Sequence, residues 1–325
     1  MTNKNIAVIA GGYSSEREVS LRSAAFVMKC LHETHYTPWL IDISEKEWVV
    51  LHESTKIVVD KNNFSFCLND KSIIMDGAYI IVHGTPGEDG KLQGYLDMIG
   101  IPYSGCSAAT SSLTFNKYFC NQFLSNQEIE IAPSKRILSG DTWDAQALVE
   151  QLGLPMFIKP NAGGSSFGVS KVKWIDHVDD AIKLAFQEGE EVLCESFMQG
   201  REFTCGALLH GNKVLMLPVT EVIPENEFFN YESKYVEGKA QEITPARLSD
   251  EETVLIQSLT HKVYRALDCR GIIRADFIYD GEVFRLLEVN TVPGMTETSF
   301  IPQQIRAAGF TETEILVSIL DNILN

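Results

Sequence analysis

Residues 273–290, IRADFIYDGEVFRLLEVN, read as two strands about a turn at Asp280 and Gly281. Side chains alternate across a strand, so Arg274 and Asp276 share one face, and Glu288 and Asn290 likewise share one. Leu286, Leu287 and Val289 mark the second strand as buried, and an acid in a buried strand needs a partner. An ordinary hairpin with solvated charges competes with this reading at this point. Against it, Asp276, Glu288 and Asn290 are hard oxygen donors of the kind that bind magnesium, which takes one or two carboxylates together with phosphate oxygens. A shared metal site also constrains the hairpin. A two-residue turn at Asp280 and Gly281 would put Asp276 and Glu288 on opposite faces, so the pattern predicts a three-residue connection with Gly281 in the left-handed region.

A second segment points the same way. In MFIKPNAGGSSFGVSKV, 156–172, Lys159 ends an apolar strand and a Gly/Ser loop follows. Glycines let backbone N–H groups close around phosphate oxygens, and a lysine can neutralise them as a point charge. The spacing is not that of a Walker A loop, because no Gly-Lys-Ser/Thr follows. Any hairpin can carry a glycine-rich turn. Together with the acidic hairpin, however, the loop points to a nucleoside triphosphate.

Outward from these segments the pattern is α/β. Ile6 to Ile9, a helical stretch over 19–31 and Trp39 to Ile43 form a β-α-β opening, and Ala78 to Val82 is a further strand. Glycine-rich turns follow two of these strands, GGYSSE at 11–16 and HGTPGEDG at 83–90, at the ends where open sheets bind ligands. Residues 107–124 read as one helix, 156–160 and 192–196 as strands, and 176–188 as a helix. Strands at 203–209, 213–222, 271–279 and 283–289, with helices near 249–268 and 311–324, suggest an antiparallel second half. The polar stretch 224–247 reads as one long loop, of the kind that covers a site. The expected division is an N-terminal doubly wound parallel-sheet domain over 1–104, a central unit with the glycine-rich loop over 105–192, and a C-terminal unit with the acidic hairpin over 193–325.

Composition removes several function classes. At 325 residues and 45% hydrophobic content the chain can bury sizeable cores. A net charge of −17 argues against general affinity for nucleic acid or anionic lipid, so an anionic substrate needs local cations. The seven cysteines are odd in number and form no C-x-x-C pair, which suggests neither disulfides nor a thiolate zinc site. No segment approaches the apolar length of a membrane span or a signal-peptide core, and a cytoplasmic location is the default expectation. The opening GGYSSE lacks the G-x-G-x-x-G spacing of nicotinamide-binding folds.

The combination of glycine-rich hairpin and distal acid pair resembles the ATP-grasp superfamily. Within it, GGYSSEREVSLRS (11–23), HGTPGEDGKLQGYLDMIGIPYSG (83–105), NYESKY (230–235) and EVNTVPGMTETS (288–299) resemble the D-alanine–D-alanine ligases. The resemblance runs over nearly the whole chain. It implies an ATP-grasp fold whose two α+β subdomains sandwich ATP, behind an N-terminal substrate-binding domain. It also implies ATP-dependent joining of two D-alanines through an acyl phosphate, for peptidoglycan synthesis and so for cell-wall biogenesis and cell shape. ATP is then a substrate, with two Mg2+ ions that Mn2+ can replace, and a homodimer is implied as well.

The resemblance assigns roles residue by residue. Glu16 would bind the ammonium of the first D-alanine, with His83 nearby but not as a catalytic base. Lys117 and Lys159 would contact the phosphates, Glu195 and the backbone near Met198 the adenine, and Glu202 the ribose. Ser165 and Ser166 would lie in the loop over the nucleotide, and Lys234 would reach the γ-phosphoryl group. Ser165 and Tyr235 would join Glu16 in a hydrogen-bonded trio that closes the long loop. Arg274 would steady the acyl phosphate and the oxyanion, Gly294 and Ser299 would receive the second carboxylate, and Asp276, Glu288 and Asn290 would hold the metals.

A tyrosine at 235 accompanies dipeptide rather than depsipeptide synthesis in this family, whereas Phe229 departs from the tyrosine common there. Another ATP-grasp carboxylate–amine ligase is the alternative. A non-catalytic nucleotide-binding protein is a further one, against which the retained acids and Arg274 count.

Overall fold

The computed structural model describes residues 3–53, 55–164, 167–224 and 240–324. The chain opens with β1 (Lys4–Gly11), α1 (Arg17–His32) and β2 (Tyr36–Ile43). It continues through β3 (Trp48–His52), β4 (Thr55–Val58), β5 (Ser65–Leu68), β6 (Lys71–Ile74) and β7 (Gly77–Ile80). The first sheet runs β4-β3-β2-β1-β7, with β1 parallel to both neighbours and β3 and β4 added antiparallel. A central parallel strand is covered on both faces and needs an unbroken apolar run. Ile6–Ala10 supply it, each fully buried. Ser20 of α1 accepts from Gly11 N (2.9 Å) and donates to Ile81 O (2.6 Å), which holds the helix start against the strand ends where the turns emerge. The short strands β3 to β6 lie outside the periodicity read above, since buried and exposed positions do not alternate along them and Leu51, Val58 and Ile74 are apolar yet exposed.

Next come α2 (Lys91–Ile99), α3 (Ala108–Phe115) and α4 (Lys117–Ser125). The helix expected over 107–124 is therefore two. Asn116 breaks it with extended backbone (ψ 96°), and its side chain accepts from Phe119 N at 3.0 Å as the N-cap of α4. The second sheet is built from β8 (Ser134–Leu138), β9 (Met156–Pro160), β10 (Ser170–Val172) and β11 (Glu191–Ser196), in the order β10-β9-β11-β8. α5 (Ala145–Leu152) and α6 (Val178–Ala185) pack on it. The expected helix at 176–188 is shorter, with a 3-10 turn at Ile175–His177 before α6.

The third sheet joins β12 (Arg201–His210), β13 (Lys213–Met216), β14 (Thr220–Pro224), β15 (Ala240–Ile243), β16 (Ile272–Tyr279) and β17 (Phe284–Asn290), and α7 (Asp250–Ala266) packs against it. Two expectations change here. The strand read over 213–222 is divided into β13 and β14, and the loop expected over 224–247 contains β15, which pairs with β14. The chain ends in α8 (Phe300–Ala307) and α9 (Glu312–Leu324). α8 buries Ile301 and Ile305, and α9 buries Ile315, Leu316, Ile319 and Leu320, in the core under β1, so these helices pack on the first sheet. Two further cores lie at the third and second sheets. All seven cysteines are free thiols, five of them buried. Among the described residues no helix is long and apolar enough to cross a membrane.

Candidate active site

The β16–β17 hairpin differs from expectation in its connection and agrees in its result. Tyr279 faces Phe284, so the connection is the four residues 280–283 rather than three. Asp280 sets that length, because its Oδ1 accepts from the N–H groups of both Glu282 and Val283 at 2.9 Å, while Gly281 takes the positive φ of 102°. At that parity Asp276 would oppose Leu287. A β-bulge between Asp276 and Phe277 absorbs Leu287, and the pairs beyond it are Asp276 with Glu288 and Arg274 with Asn290. The four side chains therefore share one face.

On that face Arg274 holds Asp276 by two bonds, Nε to Oδ1 at 2.8 Å and Nη2 to Oδ2 at 2.7 Å. Asn290 Nδ2 adds a third at 3.1 Å. The Arg274 guanidinium also stands 5.3 Å from the centre of the Phe300 ring. Among the described residues no group of three or more His, Cys, Asp and Glu stands ready to hold a metal alone. Two carboxylates and an amide are too few for an all-protein cage. They fit an ion that keeps part of its shell from phosphate and water.

The second sheet supplies the facing cations. Lys159 and Glu195, on adjacent strands β9 and β11, form an ion pair in which both side chains are almost fully buried. Asn121 Nδ2 donates to the other oxygen of Glu195 at 3.3 Å. The break at Asn116 brings Lys117 to the same place: Lys117 N and Tyr118 N donate to Asn161, at 3.1 and 2.8 Å, and dock the start of α4 on the loop after β9. Lys117 Nζ donates to Gly163 O (2.6 Å) and stands 3.9 Å from Glu288.

Glu16, from the turn after β1, is buried and meets the glycine-rich loop. A Cβ on Gly164 would lie 2.5 Å from its Oε2, so the loop backbone runs directly against the carboxylate and a side chain there would displace it. His83, at the end of the strand run, is buried beneath the turn. Its Nδ1 donates to Val292 O at 2.9 Å and Nε2 lies 3.4 Å from Ser23 Oγ. Burial holds its pKa below the ordinary value, against the pull of Glu16, so the ring is neutral and serves to anchor the 291–299 loop. In that loop Ser299 Oγ accepts from Thr296 N (3.0 Å) and precedes α8, and Gly294 packs against it: a Cβ there would be 3.0 Å from Ser299 Oγ.

One cleft of about 980 Å³ is lined by Glu16, Lys117, Lys159, Glu195, Met198, Glu202, Arg274, Asp276 and Glu288. Asn290 reaches it through Asp276, and Ser299 adjoins Phe300 in its wall. Ser165, Ser166, Phe229, Lys234 and Tyr235 lie outside the described residues. Several acids went unassigned in the sequence, Asp89, Glu188 and Glu221 of the cleft wall among them. Glu88, in the HGTPGEDG turn, accepts from Gly84 N at 2.6 Å, and burial first, then the charge of Glu16, pushes its pKa up to about 8. An acid within a glycine-rich turn at a strand end was the signal available.

Comparison with known proteins adds a family. Residues 5–106 match the family described as D-ala D-ala ligase N-terminus, and 123–321 that described as D-ala D-ala ligase C-terminus. A D-alanine–D-alanine ligase of Porphyromonas gingivalis is 51% identical over 323 residues, covering 98% of each chain. Among solved structures, D-alanyl-alanine synthetase A from Vibrio cholerae superposes with a TM-score of 0.90 at 30% identity, covering 100% of this chain and 99% of that one. The Bacillus anthracis D-alanine–D-alanine ligase complexed with ATP gives a TM-score of 0.79 at 27% identity, over 99% and 97% of the two chains.

Proposed function

Because the chain belongs to the D-alanine–D-alanine ligase family, we propose that it joins two D-alanines to D-alanyl-D-alanine, with ATP converted to ADP and phosphate. The product serves peptidoglycan precursor synthesis, and the reaction runs in the cytoplasm. The observation that carries the reading is the convergence of one acid, Glu16, with Lys117, Lys159 and the Arg274–Asp276–Glu288 face in a single cleft. A carboxylate suited to an ammonium and a basic wall suited to phosphates are what a carboxylate–amine ligase needs side by side.

In this reading Lys117 and Lys159 contact the phosphates of ATP, Glu195 and the backbone at Met198 take the adenine, and Glu202 takes the ribose. Asp276, Glu288 and Asn290 would hold two magnesium ions, or manganese in their place. When bound, these supply charge neutralisation and hold the phosphates in line. Glu16 orients the first D-alanine so that its carboxylate oxygen attacks the γ-phosphorus; the bond to the bridging oxygen breaks and ADP departs. The free amine of the second D-alanine, whose carboxylate lies at Gly294 and Ser299, then attacks the acyl carbon. Arg274 stabilises the oxyanion, and phosphate leaves as the peptide bond forms. Lys234 would assist at the γ-phosphoryl group and Ser166 would contact ATP, while Ser165 and Tyr235 would join Glu16 to exclude water that would hydrolyse the acyl phosphate.

The test is phosphate release from the purified protein with ATP and magnesium, comparing D-alanine with L-alanine, D-lactate and no acceptor, and identifying the product by mass. Release that depends on D-alanine and yields its dipeptide is expected. Release without D-alanine dependence would move the protein to another carboxylate–amine ligation.

A further inference from the structure

A buried glutamine on α8 completes the third sheet. β12 pairs with β14 only over Glu202–Thr204 and with β13 only over Ala207–His210. In the gap, Gly206 N donates to Gln304 Oε1 (2.9 Å) and Gln304 Nε2 donates to Thr204 O (3.0 Å). The same Nε2 donates to Thr220 Oγ1 at 3.0 Å, and Thr220 shares a 2.6 Å hydrogen bond with Thr244. Gln304 is 0% exposed. Its carboxamide thus stands in for a stretch of missing strand. Gly206 makes room for it, since a Cβ there would lie 2.7 Å from Gln304 Oε1.

The neighbouring glutamine ties the same helix at a second point. Gln303 Nε2 donates to Glu242 Oε2 on β15 (2.5 Å) and to Thr298 O (2.7 Å), just before the helix. Elsewhere α8 buries Ile301, Pro302 and Ile305, and Arg306 in its last turn pairs with Glu312 and donates to Glu297 O at 2.8 Å, ties to neighbouring segments rather than to the sheet. Apolar contact is non-directional and leaves a helix some freedom to slide and turn, whereas hydrogen bonds to a sheet fix its position. What they fix is the N-terminus of α8, where Ser299 precedes Phe300, the residue whose ring lies 5.3 Å from the Arg274 guanidinium. The bonded strand β12 also sets Thr204 opposite Asp276.

We propose that Gln304 is a positioning residue for the acceptor, setting the Ser299 end of α8 relative to the Arg274–Asp276 pair. The inference rests on the reading that Gly294 and Ser299 receive the carboxylate of the second D-alanine at a helix N-terminus. Gln304→Met retains length and packing but loses all three hydrogen bonds. Thr220→Val removes one of them.

The experiment first establishes D-alanine-dependent dipeptide formation by the unaltered protein; without it the ligase reading fails, and this inference with it. Saturation with D-alanine is then resolved into donor and acceptor KM values for each variant, alongside the KM for ATP. Gln304→Met is expected to raise the acceptor KM at least about tenfold, with donor and ATP KM within about twofold and kcat within about threefold. Thr220→Val is expected to raise the same constant by roughly two- to fivefold. A folded Gln304→Met with an unchanged acceptor KM, or with all three KM values moving together, overturns the proposal. If Gln304→Met does not fold, Thr220→Val decides: an acceptor-selective rise supports the proposal and an unchanged acceptor KM overturns it.

Discussion

Arg274 has two duties in this structure, and replacing it by methionine separates them. It neutralises Asp276 through bonds of 2.8 and 2.7 Å, and in the proposed reaction it also faces the developing oxyanion. Stripping one partner from a fully buried ion pair costs about 3–5 kcal/mol. Asp276 stands in the wall of an open cleft, keeps Asn290 at 3.1 Å, and has a side chain 7% exposed, so water can take up part of the freed charge. A loss of roughly 2 kcal/mol follows for Arg274→Met, seen as a drop of a few degrees in melting temperature.

Adding Asp276→Asn removes the stranded charge. The double variant is expected to recover to within about 1 kcal/mol of the parent, because no uncompensated ion remains. Activity should not recover with it. Loss of one preorganised oxyanion-stabilising group typically lowers kcat by about 10²–10³, and asparagine restores no positive charge. Thermal melts and steady-state ADP release on the parent, both single variants and the double variant give the cycle. A double variant as unstable as Arg274→Met would refute the neutralising role, and Arg274→Met retaining more than about a tenth of kcat would refute the catalytic one.

Other sites give sharper single readouts. Lys159→Met strands Glu195, which is 3% exposed, and should cost about 3 kcal/mol while raising the KM for ATP at least tenfold and sparing both D-alanine constants; an unchanged ATP KM would argue against phosphate contact. Glu288→Gln should raise the magnesium concentration for half-maximal activity about tenfold, with chelation abolishing activity in both proteins, and equal magnesium curves would remove Glu288 from the metal site. For Glu88, pushed up to about 8 in the fold against an ordinary 4.5, the proton is held more tightly folded than unfolded. Its stabilising effect is therefore complete below pH about 4.5 and is lost as pH rises through about 8. Glu88→Gln stays neutral, so its melting temperature should gain on the parent across that window, by an amount equivalent to roughly 5 kcal/mol, and level off above it. A difference independent of pH would show that Glu88 is not held protonated.

The candidate site residues were legible where they sit in strands, because alternation reports which side chains share a face. Arg274, Asp276, Glu288 and Asn290 share one face, as alternation requires, and Lys159 lies one residue before the end of its strand at Pro160. What periodicity cannot report is the local hydrogen bonding that sets chain direction. The Asp280 side chain built a four-residue connection that apolar spacing does not reveal, and the bulge at Leu287 then restored the parity the site requires. Asn116 likewise broke a helix whose apolar pattern runs on through it, and that break is what aims Lys117 at the loop after β9.

Gln304 is the limiting case. Its position on α8 reads as one more buried turn of helix, and only the unfilled ladder at Gly206, about a hundred residues earlier in the chain, explains why an amide belongs there. Apolar pattern determines which surfaces meet, but the alignment of those surfaces to within a bond length depends on polar groups whose partners are distant in sequence. A ligase that must bring an amine onto a carboxyl carbon depends on that alignment. The residues least legible from pattern, Leu287, Asn116 and Gln304, are thus expected to govern the placement of groups that the pattern itself identified.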